Sequence, residues 1–116
     1  MESEYKKALE FSNYQHSLTL KKNVLKEKID ATLTMGYAGG LFKVSSDLIV
    51  FVEFLIKRNK TENIVLLDCN NNPILIDDLT VFQEEILDRY FTSTNQYYNE
   101  YENLKKQRSV ETLIND

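Results

Sequence analysis

The chain has 116 residues, 42% of them hydrophobic, with three Gly, one Pro and no Trp, which suits one domain with a modest core and argues against disorder except at the ends. Its single cysteine, Cys69, excludes an internal disulfide framework and a multi-cysteine zinc site, and fits folding in a reducing interior. The net charge of -4 divides into ten Lys or Arg against seven Asp or Glu over residues 1–60, and four against eleven over residues 61–116; this balance disfavours a general nucleic-acid binder.

A membrane is not expected as a partner. The longest apolar stretch, Leu48 to Ile56, is interrupted by Glu53 and falls far short of the roughly 20 residues that span a bilayer. The opening MESEYKKALE has no apolar h-region, so the chain reads as soluble, unprocessed and cytoplasmic.

In chain order, Tyr5, Ala8, Leu9 and Ser12 share one helical stripe, predicting a short amphipathic helix over Ser3 to Ser12. Residues 15–28 suit strand and helix equally, because Leu18 and Leu20 alternate while Val24 and Leu25 fit a continuing helix. Ile29, Ala31, Leu33, Met35 and Tyr37 fall at every second position, predicting a half-buried strand. Ala38-Gly39-Gly40 then makes a turn into a second strand through Leu41, Phe42 and Val44.

Ser45 or Ser46 caps a helix over about Asp47 to Asn59, apolar around most of its circumference and so predicted to be the central core helix. Ile64 to Leu67 and Ile74 to Ile76 read as two strands joined by Asn70-Asn71-Asn72-Pro73. Asp77 or Asp78 caps the longest helix, over about 79–107, striped by Leu79, Phe82, Ile86, Tyr90, Thr94, Tyr97, Tyr101 and Leu104. At 1.5 Å per residue it extends roughly 43 Å. A domain of this size has a radius of gyration of about 13 Å, so the helix either breaks at Thr92-Ser93-Thr94 or projects. One more helical turn is expected over Ser109 to Ile114, with Val110, Leu113 and Ile114 on one side. The fold class that follows is α+β: a single domain over 1–116 with a small antiparallel sheet, an apolar central helix and a long C-terminal helix.

The residues that carry chemistry elsewhere do not assemble into a site here. Asp68-Cys69-Asn70-Asn71-Asn72 begins like a calcium loop, but its sixth position is Pro73 and its twelfth is Leu79, where glycine and a bidentate glutamate belong. An Asx-rich turn explains the run better. The Gly36 to Gly40 cluster lacks both dinucleotide and P-loop spacing. His16, the sole histidine, has no nucleophile motif nearby, and Cys69 has no cationic neighbour in sequence to activate it. No enzymatic activity, metal or cofactor is expected.

Two surfaces stand out instead. Asp77, Asp78, Glu84, Glu85 and Asp88 form an acidic face; carboxylates at a helix start complement its dipole, and the same face suits a basic partner. Tyr90, Tyr97, Tyr98 and Tyr101, extended by Leu104, form a stripe that either packs on the chain's own sheet or meets another chain.

Residues 62–108, ENIVLLDCNNNPILIDDLTVFQEEILDRYFTSTNQYYNEYENLKKQR, with the chain's excess of Lys over Arg, resemble small virion or uncharacterised proteins of contractile-tailed marine phages. The resemblance implies a structural or host-interaction role, in a host cytoplasm or a virion. The functional expectation is a protein-protein interaction module, a component of a homo-oligomeric assembly; the alternative is an accessory factor whose acidic face binds a basic protein surface.

Overall fold

A computed structural model describes the backbone of residues 2–114 and the side chains of residues 3–107. The element order is α1 (Glu2–Thr32), β1 (Thr34–Tyr37), β2 (Gly40–Lys43), α2 (Ser46–Lys57), β3 (Glu62–Leu67), β4 (Pro73–Asp78) and α3 (Leu79–Ile114), an α+β fold with a long C-terminal helix. The chain forms two compact units, one of residues 29–95 and one of residues 1–28 with 96–116.

In the 29–95 unit the strands make two antiparallel hairpins rather than one sheet. β1 and β2 pair Met35 with Phe42 and Tyr37 with Gly40, which leaves Ala38 and Gly39 as a two-residue turn. Both turn residues have positive φ, 50° and 85°, the conformation whose twist matches a tight hairpin. Gly40 is required for a different reason: a Cβ there would lie 2.6 Å from Ile74 Cγ1. The strand expected over Ile29 to Tyr37 is shorter. Residues 29–32 finish α1, and Leu33 N–H donates to Ile29 O at 3.1 Å and Asp30 O at 3.2 Å before the chain extends.

α2 begins as its sequence predicts, with Ser45 Oγ accepting from Leu48 N at 3.2 Å. Such a cap stabilises a helix by about 1 kcal/mol. The helix closes on Asn59 at φ 61°, with Asn59 N–H donating to Ile56 O and Lys60 N–H to Leu55 O, so its last carbonyls are satisfied. Only Val52 is fully buried; Leu48, Ile49, Leu55 and Ile56 rest partly on the core, while Val50, Phe51 and Phe54 are exposed. α2 therefore uses less of its apolar circumference than its composition suggests.

β3 and β4 pair Leu66 with Ile74 and Ile64 with Ile76 on the buried face. The hairpin turn is organised by Asp68, whose Oδ1 accepts from Asn70 N and Asn72 N, each at 2.9 Å, with Asn71 left-handed at φ 61°. Asp78 caps α3, its Oδ1 accepting from Thr80 N at 2.9 Å.

The core of this unit gathers Met35, Phe42, Val44, Val52, Leu66, Ile76, Leu79, Phe82 and Ile86. Each large aliphatic or aromatic side chain removed from water there contributes roughly 1.5–3 kcal/mol. Phe82 anchors the cluster, with Tyr37 and Phe42 presenting ring edges at centroid distances of 5.0 and 5.1 Å.

Of the two alternatives for the long helix, the break at Thr92-Ser93-Thr94 does not occur, and α3 is helical throughout Leu79–Ile114. Two of the hydroxyls there find partners without unwinding it: Thr94 Oγ1 donates to Tyr90 O at 2.9 Å, and buried Ser93 accepts from Thr32 Oγ1 at 2.9 Å.

In the unit of residues 1–28 and 96–116, parts of α1 and α3 run antiparallel. The helix expected over Ser3 to Ser12 and the ambiguous residues 15–28 belong to the single helix α1. Lys28 Nζ donates to Glu100 Oε1 at 2.6 Å, and Lys22 Nζ stands 5.4 Å from the Tyr101 ring centroid. The backbone of α3 continues to Ile114, while the facing expected of Val110, Leu113 and Ile114 lies outside the described residues.

Candidate interaction surfaces

The tyrosine stripe divides between the two units. Tyr90 is half-buried against the core of the 29–95 unit, its ring edge-on to Phe91 at 5.8 Å. Tyr97 and Tyr101 are half-buried in the helix pair, with ring centroids 6.4 Å apart. Lys105 Nζ lies 4.7 Å from the Tyr101 centroid, so that ring has lysines from both helices against it. Tyr98 is 64% exposed and is the tyrosine of the set that faces solvent most openly. Leu104 is half-buried and lines a groove described below.

All five acidic-face residues, Asp77, Asp78, Glu84, Glu85 and Asp88, are exposed. Asp77 and Asp78 end β4, while Glu84, Glu85 and Asp88 lie in the first turns of α3. Tyr37 senses this face: burial pushes its hydroxyl pKa up, and the charges of Glu85, Asp78 and Asp77 push it further the same way. Glu85 and the two aspartates thus act on one point from different elements.

The polar groups singled out as chemical candidates have structural partners or stand alone. Asp68 is buried, and main-chain N–H groups occupy both its oxygens: Asn70 and Asn72 on Oδ1, Leu41 on Oδ2 at 3.1 Å. His16 and Cys69 are exposed on different units. Among the described residues no group of three His, Cys, Asp or Glu side chains is placed to hold a metal, and no helix is long and apolar enough to cross a membrane.

Periodicity along single elements did not reveal two apolar surfaces. On the outer face of the β3–β4 hairpin, Val65, Leu67 and Leu75 are exposed, with Val65 paired directly to Leu75. The available signal was that Ile64-Val65-Leu66-Leu67 is apolar at both parities, a pattern that fits a strand covered on both sides. In the helix pair, a groove of about 530 Å³ runs between α1 and α3. Leu20, Val24 and Leu25 line it from α1 and Leu104 from α3, with Lys21 and Glu100 among the polar groups at its edge. Leu20 and Val24 are four apart, a spacing that shares a face in helix and strand alike, so it did not decide between the two readings of residues 15–28.

Comparison of the chain with family models, curated proteins and solved structures returned no match.

Proposed function

We propose that this chain is a non-enzymatic protein-protein interaction module and a component of a homo-oligomeric assembly. The observation that carries the reading is the apolar surface left open on the helix pair. Leu25 is its one fully buried apolar residue among the described ones, whereas Tyr5, Leu9, Phe11, Leu20, Val24 and Tyr98 are all at least half exposed. Two helices bury an apolar stripe poorly on their own, and exposed apolar clusters of this kind mark surfaces that meet other protein. The resemblance of residues 62–108 to small virion or uncharacterised proteins of contractile-tailed marine phages, which implies a structural or host-interaction role, is compatible with an assembly role. Sedimentation equilibrium across the micromolar range tests it: a mass above one chain is expected, and a strict monomer at high micromolar concentration sinks it.

A second reading, an accessory protein whose acidic face binds a basic surface, is favoured by the exposure of all five carboxylates of that face, Asp77, Asp78, Glu84, Glu85 and Asp88. Binding through that face weakens steeply with salt, whereas an apolar interface is nearly indifferent to it. Co-precipitation at low and high salt separates the two.

A further inference from the structure

Resting on the homo-oligomeric reading but on a different surface, we propose that the outer face of α2 packs antiparallel on α2 of a second copy, about a two-fold axis midway between Phe51 and Phe54. At 3.6 residues per turn, Asp47, Val50, Phe51, Phe54 and Arg58 fall within about 100° of the helix circumference, opposite the face that buries Val52. Val50 is 66%, Phe51 50% and Phe54 51% exposed. Three large apolar side chains thus form one patch, with an acid at one end and a base at the other.

The charges on this face identify a second copy as the occupant. Asp47 is exposed in the first turn and Arg58 at the C-cap, and neither forms an ion pair among the described residues. Lys57 instead meets Glu53 within α2, at 3.9 Å. The Arg58 guanidinium lies over the Phe54 ring, 4.9 Å from its centroid, a placement that leaves N–H groups open to a carboxylate. Asp47 and Arg58 lie equally far on either side of the midpoint between Phe51 and Phe54, roughly 8 Å along the helix axis. Reversing the helix about that midpoint therefore exchanges acid with base and Phe51 with Phe54. A two-fold operation brings Arg58 of each copy to Asp47 of the other and each Phe51 to a Phe54, so the patch is its own complement. Parallel docking sets like charges together, and a partner of one charge sign meets its own sign at one end.

Sedimentation velocity at rising micromolar concentrations, under reducing conditions, tests this on the full chain. It compares wild type with Phe51→Glu, Asp47→Lys, Arg58→Glu and the Asp47→Lys/Arg58→Glu double variant. One short helix on another buries less than the about 1,200 Å² of a standard interface, so the dimer is weak and dilute samples hold single chains. Phe51→Glu is expected to weaken dimerisation about 100-fold and each single charge variant about tenfold, because every substitution acts twice across the axis. The double variant restores both cross-copy pairs and dimerises more tightly than either charge variant alone. Within one chain both substitutions oppose the helix dipole, so a role in helix stability alone makes the double variant the weaker. Far-UV circular dichroism monitors folding, and the charge series decides the matter if Phe51→Glu loses helix. A monomeric wild type overturns both this inference and the homo-oligomeric reading. An oligomeric wild type whose association none of the variants changes, or a double variant weaker than both singles, overturns the α2 face alone and leaves the reading standing.

Discussion

Leu41 and the Asp68–Cys69 corner are joined twice: Leu41 N–H donates to Asp68 Oδ2 at 3.1 Å, and Leu41 O accepts from Cys69 N at 2.8 Å. These bonds tie the β1–β2 hairpin to the β3–β4 turn, which otherwise belong to separate two-stranded sheets. One aspartate thus organises its own turn and fastens it to a neighbour.

This tie should be pH-dependent. N–H donors from Asn72 first, then Leu41, with Asn70 adding to them, hold the Asp68 carboxyl below its ordinary range despite opposing burial. A depressed folded pKa stabilises the fold above the unfolded value of about 3.9 and loses that contribution as pH falls through the folded pKa. Chemical denaturation should therefore show stability declining below about pH 4, with that component missing in Asp68→Asn. An unchanged acid profile in the variant would place the sensitivity elsewhere.

Gly40→Ala should destabilise the 29–95 unit by about 1–3 kcal/mol, because the added methyl overlaps Ile74 Cγ1 and Cδ1 and a β-branched side chain has few rotamers to yield into. Adding Ile74→Ala removes the overlapping atoms, so the double variant should lose less than the sum of the singles. Gly36→Ala is the control, since its nearest neighbour is Gly40 O at 4.0 Å. Urea midpoints read all three.

Phe82→Ala should cost about 3–5 kcal/mol, the range for truncating a fully buried aromatic, and remove the ring against which Tyr37 and Phe42 pack. Phe51→Ala, on the exposed side of α2, should stay within about 0.5 kcal/mol. Equal effects at the two sites would contradict the placement of α2.

Tyr37 should titrate above its usual value, because burial comes first and Glu85, Asp78 and Asp77 add to it. Its raised folded pKa means that its contribution is complete below the unfolded value of about 10 and is lost as pH rises through the folded one. Absorbance titration near 295 nm should lose a late-titrating component in Tyr37→Phe. Neutralising Glu85 with Gln should move that component toward the ordinary range.

Local chemistry was legible in the sequence where one residue type has one job. Of the two serines and two aspartates offered as caps, Ser45 and Asp78 are the ones that cap, and Ala38-Gly39 makes the turn its glycine announces. Ile29 to Tyr37 was harder, because its apolar residues alternate across a boundary: Ile29 is buried at the end of α1, whereas Met35 and Tyr37 lie on β1. A period-two pattern cannot show that the backbone changes midway. The tyrosine stripe failed similarly. Tyr90, Tyr97 and Tyr101 share a helical spacing, yet Tyr90 packs on the 29–95 core while the other two belong to the helix pair. Periodicity identifies a common face but not what covers it along a helix this long. The groove was missed because it needs Leu104 beside Leu20 and Val24, a neighbourhood that only the fold creates.

The Lys28–Glu100 pair spans 72 positions of sequence, whereas each hairpin joins strands that are near neighbours along the chain. Closing a long loop costs entropy before any contact rewards it, and local pairings form sooner. Vectorial synthesis sharpens the contrast, because α1 is made before every other element described and α3 after them all. Throughout that interval Leu9, Phe11, Leu20 and Val24 travel with the nascent chain without the C-terminal helix beside them. Pairing of α1 therefore waits until α3 has been made, whereas each hairpin can close as soon as its second strand follows its first.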